Sequence, residues 1–379
     1  MNEVISNTQV PSLKVVFTDQ EIWAVANTVQ DILRSGRLTL GKYTERFEQE
    51  FAETIGCKYA VAVSCGTAAL EVMLRALELN EQSQVIVPTN TNFATAAAAV
   101  YAGANVTLVD SGLYIDIEDL KRLISDEIAA LIMVHIGGYI TPEIETVRQL
   151  CEKHEVLLLE DAAHAHGASI SGRMAGVLGH AAAFSFFPTK VMTTGEGGII
   201  TINDKHLYRK AKQLRDQGID PTRDVHTLMG NSWRMSEIEA AIGSIQLRSL
   251  TSNVEHRRGV INLYQQLLSE TEGIDPVGYP SSVEPSGYKC IALLDASIDR
   301  SRLRSKLRTE YGVLIGRGVY DTPLHKQPVF DWLAKDRAFP KAEFFAKHHI
   351  CLPIWRTIVP EDVEYVADSI RAAIGGCRY

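Results

Sequence analysis

Tyr59-Ala60-Val61-Ala62-Val63, followed by the turn Ser64-Cys65-Gly66-Thr67 and an apolar helical stretch over 68–77, is the segment on which the fold turns. An apolar run this short, bounded by turn residues, is a buried strand rather than a helix. A strand, a small-residue turn and a helix in that order leave free backbone N–H groups at the helix N-terminus, which favour an anion. The unit recurs along the chain. Strands at 85–87, 106–109 and 129–134 alternate with helical patterns at 94–102 and 117–124, and Val156-Leu157-Leu158-Leu159 is a further buried strand that ends at Glu160-Asp161. Residues 181–186 and 198–202 supply the last strands of the set. Repeated alternation predicts an α/β fold, a largely parallel sheet with helices on both faces, and ligands gather at the carboxyl ends of such strands.

Upstream, Thr18-Asp19-Gln20-Glu21 has capping-box form, and Ile22, Val25, Val29 and Ile32 or Leu33 repeat on one helix face, which is expected to pack on the main sheet. A second amphipathic helix is expected over 43–55. From about residue 252 the pattern changes to a long helix, a strand at 290–294, and helices at 302–311 and 360–374. This predicts a large domain over 1–250 and a smaller α+β domain over 251–379, divided within or just after a helix near 247–257.

The chain has 379 residues, 46% hydrophobic and 22% charged, which is enough for a large core. No apolar run approaches the ~20 residues of a membrane span, and residues 1–8 lack signal-peptide order, so a cytoplasmic location is expected. The six cysteines, Cys57, Cys65, Cys151, Cys290, Cys351 and Cys377, show no Cys-x-x-Cys spacing, and neither a disulfide framework nor a zinc site is indicated. A net charge of −8 argues against general nucleic-acid binding. No Gly-x-Gly-x-x-Gly follows the first strands, which removes a dinucleotide-binding dehydrogenase.

One constellation carries chemistry. Lys190 follows Phe184-Ser185-Phe186-Phe187-Pro188-Thr189, precedes Gly195-Glu196-Gly197-Gly198, and has Asp161 upstream at a strand end. A lysine amine that condenses with an aldehyde, a carboxylate that keeps a pyridine nitrogen protonated, and a serine beside small residues for a phosphate together read as a pyridoxal phosphate site.

On these segments the chain resembles the DegT/DnrJ/EryC1/StrS sugar aminotransferases, a family of fold type I pyridoxal phosphate enzymes. The resemblance runs from Gly41 to Pro353. It includes Ser64-Cys65-Gly66-Thr67-Ala68-Ala69-Leu70, Glu160-Asp161-Ala162-Ala163-His164-Ala165-His166-Gly167-Ala168, the lysine and glycine segments, Trp233-Arg234-Met235-Ser236-Glu237-Ile238 and Pro323-Leu324-His325. It implies a large domain with a seven-stranded, mostly parallel sheet flanked by helices, and a smaller C-terminal α+β domain. It also implies that Lys190 is the Schiff-base lysine and proton shuttle, that Asp161 faces the ring nitrogen, and that Gly66, Thr67 and Ser185 hold the phosphate.

Three positions depart from the family pattern. His164 stands where relatives carry glutamine; against the ring hydroxyl it donates the same hydrogen bond, and related enzymes that aminate cyclic ketones share the Asp-Ala-Ala-His-Ala-His-Gly run. Asn92 stands where an aromatic residue stacks on the cofactor ring, so either Asn92 takes that place or the neighbouring Phe93 shifts into it. Ser232 replaces an asparagine that reaches the phosphate of the neighbouring subunit, leaving Ser232 or Asn231 for that role; if either serves, the enzyme is a homodimer with shared active sites. Otherwise both only cap the helix after Ser236.

The expected reaction moves nitrogen from an amino acid, glutamate or glutamine, to a keto sugar, free or nucleotide-linked, with ping-pong kinetics. A cyclitol or aminoshikimate-type ketone is the alternative acceptor, and a non-catalytic cofactor-binding sensor is a third reading. No metal is expected, although His135, His164 and His166 were candidates for one. Arg34, Arg37 and Arg317 are candidates for an anionic handle, and Tyr320, His325 and Trp355 for the substrate mouth.

Overall fold

The computed structural model describes residues 9–334 and 337–379, and residues 1–8, read above for targeting, lie outside them. Strands β1 (Tyr59–Val63), β2 (Gln84–Pro88), β3 (Asn105–Val109), β4 (Ile128–Val134), β5 (Leu157–Asp161), β6 (Ala181–Ser185) and β7 (Gly198–Ile202) form one seven-stranded sheet in the order β1-β7-β6-β5-β4-β2-β3. The pairs β2–β3, β2–β4, β4–β5 and β5–β6 are parallel, and β7 runs antiparallel to both β1 and β6. The expected α/β class and mostly parallel sheet are observed. The strands are almost wholly apolar because helices cover both faces, leaving no polar side for alternation.

One core face gathers Phe47, Phe51, Phe184 and Phe186 with the helix Lys42–Ile55. The other gathers Val61, Val63, Val85 and Val87 with the helices Gly66–Ala76 and Phe93–Tyr101. A second sheet of β8 (Ile274–Pro276), β9 (Cys290–Leu294) and β10 (His349–Leu352), antiparallel throughout, packs with the helix Pro360–Ile374 in a separate core. The helix Leu250–Leu268 changes core along its length: Leu250 and Val254 belong to the large sheet, and Val260, Ile261, Tyr264 and Leu268 to the small one. The cores are not sequential at their edges, since Val10 joins the C-terminal core while Leu324, Phe330, Phe339 and Ala342 return to the large sheet.

The first helix, Asp19–Ser35, has its capping box between Thr18 and Glu21, but it does not pack on the main sheet. It lies against the helix Glu237–Leu247 and leaves Ile22 and Leu33 more than half exposed. Periodicity identifies an apolar face but not what covers it. Here the anchor is polar: buried Glu21 accepts both bonds from Arg356 at 2.8 Å and one from Ser249 at 2.9 Å. Among the described residues no helix is long and apolar enough to cross a membrane.

Candidate active site

The carboxyl ends of β1, β2, β5 and β6 converge at one rim of the large sheet. Gly198 on β7 pairs with Val63 on one side and Ser185 on the other, so the turn after β1 and the end of β6 are brought side by side. Contact there is close. A Cβ at Gly66 would lie 2.6 Å from the Ser185 Cβ, and one at Gly198 would lie 2.4 Å from the Cys65 carbonyl oxygen. The helix Gly66–Ala76 begins at this point, capped by the Cys65 thiol, which accepts from the Ala68 N–H at 3.3 Å. Its first N–H groups, with the Thr67 and Ser185 hydroxyls, form a cradle suited to a phosphate.

Asp161, the last residue of β5, is 5% exposed. Its carboxylate accepts from the Thr95 hydroxyl at 2.7 Å and the Ala163 N–H at 3.2 Å. Burial pushes this carboxyl above its ordinary value, opposed by those two bonds and by the nearby Lys190. A buried carboxylate held this way is complementary to a protonated ring nitrogen. Thr95, one helical turn after Asn92, gave no sequence signal for this part.

Lys190 sits in the loop between β6 and β7, its Nζ 5.0 Å from the centroid of the Tyr288 ring. Burial pulls its amine below the ordinary lysine value; Tyr288 and Asp161 oppose this and Lys289 adds to it. His164 is buried and stacks on Tyr288 at 4.3 Å. Burial, with the charges of Lys190 and Lys289, holds its ring neutral, far below the usual histidine range. The Gly137 N–H donates to Nδ1 at 3.2 Å, so the ring hydrogen is on Nε2, 3.4 Å from the Tyr320 hydroxyl. His164 therefore has a donor to offer.

Two cavities meet here. One, about 280 Å³, is lined by Gly66, Thr67, Asp161, His164, Ser185 and Lys190 among others. The second, about 380 Å³, shares Asn92, His164, Phe187, Lys190 and Tyr320 with it and extends to Arg257, Lys289, Arg317 and Arg356. Asn92 caps the helix Phe93–Tyr101 through the Ala94 N–H and lines both cavities. Phe93 points away, its ring 5.4 Å from that of Phe330. Asn231 and Ser232 are exposed and line neither cavity of their own chain. Nor do they cap the following helix, whose cap is Ser236 with Glu239; Asn231 bonds the Ser232 N–H and Ser232 accepts from Arg234.

Of the other candidates, Tyr320 and Arg317 line the second cavity, while Arg37 bonds the Leu40 carbonyl. His325 is engaged by Thr89 and Glu343, and Trp355 is core. His166 packs against Phe184 and Phe186, and His135 is paired with Glu160, whose carboxylate also accepts the Gly176, Leu178 and Gly179 N–H groups. Among the described residues no group of three or more His, Cys, Asp or Glu side chains is placed to hold a metal ion. Tyr288, Lys289 and Arg257 were not anticipated as site residues, because they come from the C-terminal third of the chain with no motif around them.

A lysine, a buried carboxylate and a phosphate cradle on one sheet rim fit pyridoxal phosphate, and the protein is a pyridoxal-phosphate-dependent aminotransferase. Residues 20–371 match the DegT/DnrJ/EryC1/StrS aminotransferase family, and the chain belongs to it. GDP-perosamine synthase of Vibrio cholerae is 31% identical over 350 residues, covering 90% of this chain and 94% of the relative. DesV of S. venezuelae, solved in complex with a ketimine intermediate, superposes with a TM-score of 0.89 at 30% identity, covering 96% of this chain and 98% of that one. The sugar aminotransferase Spr1654 of Streptococcus pneumoniae in its PMP-form, a putative assignment in its own description, superposes with a TM-score of 0.89 at 25% identity, covering 97% and 98%.

Proposed function

We propose that this enzyme transfers the amino group of glutamate or glutamine to a keto sugar, free or nucleotide-linked, in two half-reactions with ping-pong kinetics. The observation that carries this reading is the position of Lys190 where the two cavities meet. Bound pyridoxal phosphate supplies an electron sink for the pair left when a proton is removed beside the donor nitrogen, and carries that nitrogen between substrates. Lys190, its amine eased toward the neutral form by burial, takes that proton and returns it. Asp161 would hold the ring nitrogen protonated, His164 would donate from Nε2 to the ring hydroxyl, and Gly66, Thr67 and Ser185 would receive the phosphate. Asn92, which lines both cavities, would face the ring in place of a stacking aromatic.

Asn231 or Ser232, exposed and outside both cavities, reaches the phosphate of a second copy, making an obligate homodimer with shared sites. Mixing an inactive Lys190→Ala protein with an inactive Asn231→Ala/Ser232→Ala protein should then restore about a quarter of activity, the share of dimer sites that is intact when subunits exchange at random. We also divide the chain into two domains near residue 250, where the helix Leu250–Leu268 changes core, and place the protein in the cytoplasm, a setting that suits its free cysteines.

The Asp-Ala-Ala-His-Ala-His-Gly run at 161–167, shared with related enzymes that aminate cyclic ketones, also supports a second acceptor class, a cyclitol or aminoshikimate-type ketone. The first test is the visible spectrum before and after glutamate, then borohydride reduction and peptide mapping. Bleaching by glutamate with reduced adduct on Lys190 supports the donor half-reaction, and a panel of keto sugars and cyclic ketones then separates the acceptors. A protein that binds pyridoxal phosphate but does not respond to any amino acid would refute turnover and favour a sensor.

A further inference from the structure

The second cavity carries a charge imbalance. Its lining includes Lys14, Lys190, Arg257, Lys289, Arg317 and Arg356 and, among the described residues, no aspartate or glutamate. Arg356 is neutralised by Glu21. Arg257 is different: it is 6% exposed, and no described carboxylate lies within ion-pair distance of it. Its guanidinium is oriented nonetheless. Nε donates to the Asn253 Oδ1 at 3.0 Å and Nη1 to the Gly287 carbonyl at 3.1 Å, while Asn253 also donates to the Val191 carbonyl at 2.8 Å, tying the group to the Lys190 loop.

That leaves Nη2 without an acceptor among the described residues, in a residue that lines the cavity. A buried guanidinium with no counter-ion is costly, and an anion received along its open edge removes the cost. Burial pulls Arg257 down to about 10, still charged at neutral pH. Lys289 stands on the same side of the problem, its Nζ 4.8 Å from the Tyr288 centroid, as Lys190 is 5.0 Å from it.

We propose that Arg257 and Lys289 form the site that receives a carboxylate of the amino donor, orienting it with its nitrogen toward Lys190. The inference rests on the aminotransferase reading above and specifies how the donor is held. A carboxylate is favoured over a phosphate of the acceptor because an amino acid presents its carboxylate within a few bonds of the reacting carbon, and Lys289 faces the same Tyr288 ring as Lys190 while Arg257 is tied through Asn253 to the Lys190 loop. A planar carboxylate also matches the flat guanidinium edge.

The test measures succinate, a dicarboxylate that cannot donate nitrogen, binding to wild type, Arg257→Lys, Arg257→Met and Lys289→Met by calorimetry, with and without pyridoxal phosphate. In parallel, the donor half-reaction is followed with glutamate and with a carboxylate-free amine. Expected are a succinate affinity and a glutamate half-saturation weakened at least tenfold in Arg257→Met and Lys289→Met, with the carboxylate-free amine changed less than threefold. Arg257→Lys, which keeps the charge, should keep the fold and lose part of the effect, and thermal melts identify any variant that fails to fold.

Unchanged succinate binding in folded variants overturns the proposal. So does equal loss with both donors, which marks Arg257 as structural, and so does Arg257-dependent binding of inorganic pyrophosphate in preference to succinate, which assigns the site to an acceptor phosphate. If wild type transfers nitrogen from no amino acid, the aminotransferase reading itself fails, and the succinate titration still reports separately whether the cation pair binds carboxylate.

Discussion

Replacing Gly66 by alanine sets two effects against each other. Gly66 is the first residue of the helix Gly66–Ala76 and has no left-handed backbone, so alanine is conformationally acceptable and gains about 1 kcal/mol in helix propensity. Its new methyl, however, would lie 2.6 Å from the Ser185 Cβ, 3.1 Å from its Oγ and 3.3 Å from its Cα. Carbon atoms rest at about 3.5–4.0 Å, and neither Cβ nor Cα can rotate away, so the strand end must move at a cost of about 1–3 kcal/mol. The two terms leave the apo protein destabilised by no more than about 2 kcal/mol.

Cofactor affinity should suffer more, because the displaced residue is the one offered to the phosphate. Loss of one hydrogen bond to a charged group is worth about 1.5–3 kcal/mol, or about 10- to 100-fold in affinity. The assay is titration of apo protein with pyridoxal phosphate, followed by absorbance, alongside urea unfolding of the apo forms. Because the effect passes through Ser185, the double variant Gly66→Ala/Ser185→Gly should bind no more weakly than Ser185→Gly alone. Wild-type affinity in Gly66→Ala, or full additivity in the double variant, refutes the cradle.

Three further outcomes follow from buried polar groups. His166 is fully buried and its ring is pushed down to about 3 by burial and then by Lys190. The unfolded chain takes up this proton near pH 6.5, so stability is complete above that pH and is lost as pH falls toward 3, by about 1.4 kcal/mol per pH unit; His166→Gln should flatten the urea-midpoint profile between pH 6 and 5, and an unchanged slope rejects the assignment. His164→Gln keeps a donor toward the ring hydroxyl and should hold kcat within about tenfold, the scale of one hydrogen bond, whereas His164→Leu should fall by more; equal losses would deny the Nε2 donor. Arg215→Met removes the cation beside the buried Glu48 carboxylate, to which Arg215 donates, and should cost about 3–5 kcal/mol in chemical denaturation, recovered in part by adding Glu48→Gln, which removes the stranded charge and keeps an acceptor for the Ala62 N–H; a double variant no more stable than Arg215→Met alone would show that the stranded charge is not the cause.

Much of the fold was legible because its signals are local. The strand at Tyr59–Val63, the capping boxes at Thr18 and Ser236, and the helix Pro360–Ile374 each depend on residues within a few positions. The first helix shows where this stops. Its apolar repeat was plain, yet Ile22 and Leu33 face outward and its attachment runs through Glu21 to Arg356, far along the chain. The short strands Ser169–Ile170 and Val283–Glu284, which pair with each other, were also missed, since two residues are too few for periodicity.

The candidate site divides the same way. Lys190, Asp161, Ser185 and the Gly66-Thr67 turn were readable by themselves because each chemical role demands a residue type beside a strand end, and strand ends are written in local pattern. That Asn92, not Phe93, lines the cavities, that His164 carries its hydrogen on Nε2, and that Thr95 bonds Asp161 depend on contacts made across the sheet rim. The sequence by itself determined the fold class and the chemistry available at the rim, since both arise from short-range order. Only the tertiary structure brought Arg257, Tyr288 and Lys289 against the Lys190 loop, because a buried charge gains its meaning from the partners that packing grants or withholds.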